Sequence, residues 1–352
     1  MLRGNLKVSP EDSPSPLPRR KMGLQAGDQE SLERRLRDPS EPLLLDGGLS
    51  TELERRGADI STHLWSAKLL IDNPSLIEDT HLAYFESGAD VAITASYQAS
   101  QHGFSKINVS PEETNNLLRS SVSLARSAAT RSRAGRSAEA QGRPLLVAAS
   151  VGCYGASLAD GSEYRGEYTL SVEELKDFHR PRVLALVSAG PDALAFETVP
   201  CLSEARAILQ LLDEDLIRGA GVEAWLSVSC KDGASLNSGE SVEDLVTLIS
   251  ESSAARPGGL LVAVGVNCTA PQHITPLLGI LRGQPLPLLT YPNKGEEWDA
   301  AARAFLPGTA TSDDVFCEQA AEWIAAGAKA VGGCCRTTPD TIRALRATLR
   351  KE

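Results

Sequence analysis

Three of the seven cysteines are the residues best placed to do chemistry. Cys268 ends the apolar run VAVGVNC, and the adjacent pair Cys334 and Cys335 ends AVGGCC. Thiolates are soft ligands that suit zinc or a related ion. Three of them leave a tetrahedral ion one open position, the catalytic arrangement, whereas structural sites are closed by four ligands. A thiol substrate in that position ionises at neutral pH, because the metal stabilises a thiolate as it does a bound hydroxide. The rival chemistry is a redox couple through a Cys334–Cys335 disulfide. Adjacent ligands ask for an unusual backbone, and Gly332 and Gly333 supply freedom just before the pair. Free cysteine is among the most buried residue types, so Cys153, Cys201, Cys230 and Cys317 are expected in the core. The five histidines form no spaced metal motif.

The elements that must position these cysteines follow from the apolar pattern. From Leu43 onward, short aliphatic and β-branched runs alternate with segments of helical period, as parallel strands with crossover helices require. Eight runs read as strands: Leu43 to Gly48, Asp90 to Tyr97, Leu145 to Gly152, Ala193 to Val199, Ala224 to Cys230, Leu261 to Cys268, Pro287 to Tyr291 and Ala328 to Cys335. Helices are expected over Ser75 to Ser87, Glu112 to Thr130, Val172 to Ser188, Ser203 to Leu212, Val242 to Ser252 and Val315 to Ala326. Asn73 before Pro74, Ser110 before Pro111, and Ser171 with Glu174 three residues on are start signals. The fold class is α/β, a single (β/α)8 TIM barrel, with an open doubly wound sheet as the alternative. Barrel enzymes build their sites at the C-terminal ends of the strands. Cys268 closes strand six and the pair closes strand eight, so with strands about 4.8 Å apart all three sulfurs lean over one mouth.

Residues 1–40 carry Pro10, Pro14, Pro16 and Pro18 with the cluster Arg19, Arg20 and Lys21, and are expected to be a disordered tail. A transit peptide is the rival there, but Glu11, Asp12, Asp28, Glu30 and Glu33 are unwelcome in one. Residues 41–352 are expected to form the barrel domain, with Arg131 to Gln141 as an exposed extension. The composition, 42% hydrophobic and 23% charged, suits a compact folded chain. A net charge of -11 argues against nucleic-acid partners, which call for concentrated Lys and Arg. No run approaches a membrane span and no secretory core precedes the barrel, so a cytoplasmic address is expected. No glycine-rich dinucleotide loop of the required spacing is present. A monomer is the default assembly.

Six separated segments, LDGGLSTELERRGADISTHLWSA, GADVAITASYQAS, AFETVP, GVNCTAP, YPNKGEEWD and VGGCCRTTPDTI, closely resemble the homocysteine S-methyltransferase family from about Leu43 to Arg350. The resemblance implies a (β/α)8 barrel holding one zinc ion on Cys268, Cys334 and Cys335. It also implies that the metal binds the thiolate of homocysteine, which is methylated to methionine. The family includes betaine-dependent enzymes, but RTTP and the YPN-GE-WD pattern look more like the branch that takes its methyl group from S-methylmethionine, sometimes from S-adenosylmethionine.

Asp46 in LDGG and Glu197 in FETVP match positions the family uses near the amino acid substrate. Read structurally, Asp46 is a turn residue and Glu197 a buried brace. Trp65, Tyr97 and Tyr291 offer aromatic faces to a sulfonium donor, and Thr94, Ser96, Gln98 and Asn267 offer polar groups at strand ends. Lys294 stands where a small polar residue is expected.

Overall fold

In the computed structural model, the described residues are 31–38, 41–60, 64–135, 143, 145–296, 298–299, 304–305 and 309–349. Eight parallel strands form one sheet: β1 (Leu43–Leu44), β2 (Val91–Ile93), β3 (Leu146–Gly152), β4 (Ala193–Val199), β5 (Glu223–Val228), β6 (Leu261–Asn267), β7 (Leu288–Tyr291) and β8 (Ala328–Val331). Each strand neighbours the next in chain order, and β8 returns to pair with β1. A parallel bridge between Leu45 and Val91 joins the remaining two edges. There Asp46 N–H donates to Val91 O at 3.0 Å and Asp90 N–H to Leu44 O at 2.7 Å. The sheet is therefore a barrel, not an open doubly wound layer.

Strands β3, β4 and β6 are buried along their whole length. This is why they read as unbroken apolar runs: a parallel sheet is covered on both faces. One set of side chains fills the barrel, among them Leu43, Leu45, Val91, Ile93, Leu146, Trp225, Leu289 and Tyr291. The other set, including Val147, Leu194, Phe196, Val264 and Val331, packs outward against helix residues such as Leu118, Leu186, Ile208, Leu245, Leu278 and Ile342. The helices Pro74–Glu86, Pro111–Gly135, Val172–Ser188, Leu202–Leu212, Val242–Glu251 and Asp313–Ala325 lie where the apolar period predicts them. Asn73 accepts from Leu76 N–H, Ser110 from Glu113 N–H, and Ser171 with Glu174 forms a complete capping box.

Several strands stop short of the expected runs, β5 among them, ending at Val228 rather than Cys230. β1, β2 and β8 leave the ladder where their backbones turn into the mouth, so Gly48, Tyr97 and Cys335 are loop residues. Two further expectations need correction. Within residues 1–40, expected to be disordered throughout, Leu32–Arg37 is a helix capped by the Ser31 side chain. Its Leu32 and Leu36, one turn apart, are 2% and 1% exposed and close the floor of the barrel. Glu33 N–H fastens the helix to Glu223 Oε2 at 3.1 Å. Two apolar residues make no periodic signal; the helix forms because distant strands bury them. Residues 1–30 lie outside the described residues. Likewise, the expected extension from Arg131 begins inside the helix Pro111–Gly135, which buries Ala128, Ala129 and Ser132; residues 136–141 lie outside the described residues.

Candidate active site

Cys268 follows the last residue of β6 and adopts φ 48°, a left-handed backbone that carries it off the ladder. Its N–H still donates to Tyr291 O at 3.2 Å. Asn267, just before it, is consumed by the framework. Its Oδ1 accepts from Thr198 N–H at 2.7 Å and Ser227 Oγ at 2.8 Å, and its Nδ2 donates to Thr198 Oγ1 at 2.8 Å. Thr198 is itself left-handed, with φ 59°. One buried amide thus ties the ends of β4, β5 and β6 and holds two strained residues, a kind of strain that clusters at functional sites.

The vicinal pair is held by its neighbours' carbonyls and amides. Cys334 N–H donates to Pro292 O at 2.8 Å, Gly333 N–H to Asp46 O at 3.0 Å, and Lys294 N–H to Cys335 O at 3.2 Å. Arg336 follows with φ 70°, its N–H bonded to Thr51 Oγ1 at 2.9 Å. Gly332 and Gly333 are required for space rather than for backbone freedom. A Cβ on Gly332 would lie 2.6 Å from Leu45 Cβ, and one on Gly333 would lie 2.3 Å from Thr337 Oγ1.

The three sulfurs meet as their strand positions predict. All three Sγ atoms lie within 4.8 Å of one another, with Cys268 Sγ 3.6 Å from Cys335 Sγ. An ion with metal–sulfur bonds of about 2.3 Å in tetrahedral geometry separates its sulfurs by about 3.8 Å, so the cluster fits such an ion. Its electrostatics agree. Hydrogen bonds from Cys268 and from Cys334 hold Cys335 well below the usual thiol range. The hydrogen bonds of Cys334 to Cys268 and Cys335, with burial, push it well above. At Cys268 the bond with Cys334 pulls down, but the bond with Cys335 and burial outweigh it. Three buried thiols this close oppose one another's ionisation, and ionising all three calls for a cation.

Two carboxylates face the same mouth. Asp46 is 1% exposed; Ile93 N–H donates to its Oδ2 at 2.8 Å, while Oδ1 is buried with no hydrogen-bond partner among the described residues. Burial raises its pKa well above the carboxylate range, against the Ile93 bond, and the charge of Glu197 adds to the rise. Glu197, 7% exposed, accepts from Ser150 Oγ. Burial pushes it to about 7, against hydrogen bonds from Ser150 and Tyr291.

A third carboxylate, Glu163, gives no signal in the sequence because it sits in an ordinary-looking polar loop, SEYRG. It is 5% exposed, its Oε2 has no partner among the described residues, and burial raises its pKa, with Cys335 near enough to contribute. Beside it, Tyr164 brings its hydroxyl to 3.8 Å from Cys268 Sγ.

The remaining expected residues divide. Thr94 and Ser96 bond one another at 2.7 Å and brace β3 through Ser150, so their hydroxyls serve the framework. Gln98 Nε2 donates to Ala156 O at 3.2 Å, leaving its buried Oε1 without a partner among the described residues. Tyr291 is 1% exposed and bonds Trp225 Nε1 and Ser227 Oγ inside the barrel, below the mouth. Tyr97 packs against Gly152 and lies near Cys268. The side chain of Trp65 lies outside what the structure describes. Lys294 Nζ pairs with Asp313 Oδ1 at 2.6 Å, so its contribution to the mouth is its backbone amide. Cys153, Cys201, Cys230 and Cys317 are buried, as expected.

Comparison with known proteins agrees with this geometry. The family model described as Homocysteine S-methyltransferase matches residues 43–349. The chain is 45% identical over 333 residues to Homocysteine S-methyltransferase 2 of Zea mays, covering 93% of this chain and 95% of that one. It is 45% identical over 319 residues to Homocysteine S-methyltransferase of Escherichia coli (strain K12), covering 89% and 97%. The metallated form of the Escherichia coli homocysteine methyltransferase MmuM superposes with a TM-score of 0.76 at 42% identity, covering 89% of this chain and 99% of that one. With its barrel closed, its three thiols gathered at one mouth and the match running almost end to end, the chain belongs to the homocysteine S-methyltransferase family.

Proposed function

We propose that this protein is a zinc-dependent methyltransferase that moves a methyl group from S-methylmethionine to the sulfur of L-homocysteine, forming methionine. The observation that carries the reading is the convergence of Cys268, Cys334 and Cys335 Sγ within 4.8 Å at the C-terminal end of the barrel. Cys268, Cys334 and Cys335 would hold one zinc ion, which would supply the Lewis acidity to keep a substrate thiol ionised at neutral pH. A redox couple needs two sulfurs only; the third, Cys268 Sγ, lies 3.6 Å from Cys335 Sγ and favours the metal.

The chain's own residues do the rest. Asp46 Oδ1 and the Glu197 carboxylate face the mouth from β1 and β4 and receive the ammonium of homocysteine, which relieves the cost of burying both charges. In the transfer, a lone pair of the homocysteine sulfur forms the new S–C bond. The methyl–sulfur bond of the sulfonium breaks, and its electron pair stays on the donor sulfur as a neutral thioether. The thiol proton leaves before attack. Because opposite charges annihilate, a dry site favours the step, and holding both substrates in line removes much of the entropic barrier.

Residues 41–352 act as one domain, and a monomer in the cytoplasm is the simplest setting. Among the described residues no helix is long and apolar enough to cross a membrane. The test is metal analysis together with methionine formation from S-methylmethionine, S-adenosylmethionine and betaine in turn. About one equivalent of zinc and turnover with the first donor are expected. Cys268→Ser should lose both with its circular dichroism unchanged. A fully active variant, or activity that tracks a reversible Cys334–Cys335 disulfide, overturns the reading.

A further inference from the structure

We propose that Glu163 and Tyr164 form the methyl-donor subsite and receive the sulfonium cation between the Glu163 carboxylate and the Tyr164 ring. The proposal rests on the reading above that the donor is a sulfonium. After β3 the chain forms a short helix, Tyr154–Leu158, and then the turn Ser162–Tyr164. Gly161 and Gly166 bracket that turn with φ 79° and 68°, a conformation that costs glycine nothing. Asp160 Oδ1 accepts from Ser162 N–H at 2.9 Å, Gly166 N–H donates to Ser162 O at 2.9 Å, and Asn237 Nδ2 donates to Glu163 O at 3.2 Å. A Cβ on Gly155 would lie 2.6 Å from Glu163 N, so the helix seats against the turn with no room to spare. The turn is thus fixed from both sides, and its inward residue is a carboxylate.

Glu163 is not behaving as a brace. A brace has partners, and this side chain, 5% exposed, keeps Oε2 without one among the described residues. Burying an uncompensated carboxylate is costly, and a cationic ligand removes the cost. Homocysteine brings one ammonium, for which Asp46 and Glu197, close enough to feel each other's charge, already provide two carboxylates. Glu163 comes from a different loop, next to Tyr164, and is near enough to feel Cys335, as Glu197 also does. A second cation would satisfy it, and the donor carries one.

The position suits the reaction. In-line attack puts the methyl carbon about 3–3.5 Å from the attacking sulfur, with the donor sulfur one bond beyond it. Tyr164 spans from the thiols to solvent: its hydroxyl lies 3.8 Å from Cys268 Sγ while the residue is 49% exposed. An aromatic face there attracts a desolvated cation through its quadrupole. Together the two residues select for a positively charged donor and bring its methyl group over the thiol cluster.

The test uses the full-length, metal-loaded protein with S-methylmethionine as donor and homocysteine as acceptor. Replacing Glu163 with Gln, or Tyr164 with Ala, should raise the donor KM by about tenfold or more, the loss typical of a hydrogen bond or contact to a charged group. Homocysteine KM and bound metal should stay within about twofold, and Y164F, which keeps the ring, should hold the donor KM closer to wild type than Y164A does. Calorimetric titration of S-methylmethionine should weaken in step with the donor KM. A donor KM and affinity unchanged in E163Q, or a loss confined to homocysteine KM or to metal content, overturns the subsite. A wild-type protein that accepts no sulfonium donor overturns the underlying reading instead.

Discussion

Replacing Glu197 with glutamine removes a charge that burial opposes while keeping an oxygen to accept from Ser150. In the native protein the carboxyl titrates at about 7 rather than 4.5, and burial is the largest cause. At roughly 1.4 kcal/mol per pH unit, ionising it in the folded state costs about 3 kcal/mol more than in the unfolded chain. The sign follows from proton counts. Between pH 4.5 and about 7 the unfolded chain has given up this proton and the folded one still holds it. Stability therefore falls as pH rises through that window and is level above it. Glutamine does not titrate, so the variant escapes the fall. The stability of E197Q relative to wild type should be unchanged with pH below about 4.5, climb by about 3 kcal/mol by pH 8, and appear as a melting-point gain on the order of 5 °C. Calorimetric or circular dichroism melts at pH 5 and pH 8 measure it. Homocysteine KM should rise by about tenfold or more in the same protein, because the ammonium has lost a charged partner. A variant whose offset from wild type is equal at both pH values, or whose deficit grows toward pH 8, would refute the argument that burial sets this carboxyl.

Gly333→Ala forces a methyl to within 2.3 Å of Thr337 Oγ1 and must displace the loop that carries Cys334 and Cys335. Metal retained after dialysis should fall along with turnover, whereas Gly279→Ala, on an exposed helix position with open space around it, should stabilise by about 0.5–1 kcal/mol. Leu36→Ala, at a side chain 1% exposed on the barrel floor, should cost about 2 kcal/mol in urea unfolding. That is the low end for a core leucine, because a short terminal helix can come away locally. Its homocysteine KM should match wild type, the floor being at the opposite end from the mouth; a raised KM would contradict that separation.

The alternation of apolar runs was sufficient to count eight strands, order them and predict that Cys268, Cys334 and Cys335 share one mouth. Those statements depend on the pattern of strand burial and on the rule that barrel sites form at strand C-termini, and both are properties of local sequence. Asp46 and Glu197 could be named as candidates for the same reason, standing at strand ends inside recognisable motifs, and the fold buries both. Closure was the expected outcome of eight alternating units and is what the fold shows, but strand count alone left the open sheet possible; the Leu45–Val91 bridge decides it, and that pairing depends on the whole circuit. The role of Leu32–Arg37 was not legible, because its two leucines matter only where distant strands leave a floor to fill. Asn267 and Tyr291 read as candidate substrate contacts, yet tertiary packing spends their polar atoms on the framework. Glu163 shows the converse: a carboxylate in a polar loop with no motif becomes a candidate because folding buries it and leaves one oxygen without a partner among the described residues. Sequence determines which residues are able to do chemistry; only the folded chain decides which of their polar atoms remain free to meet a substrate.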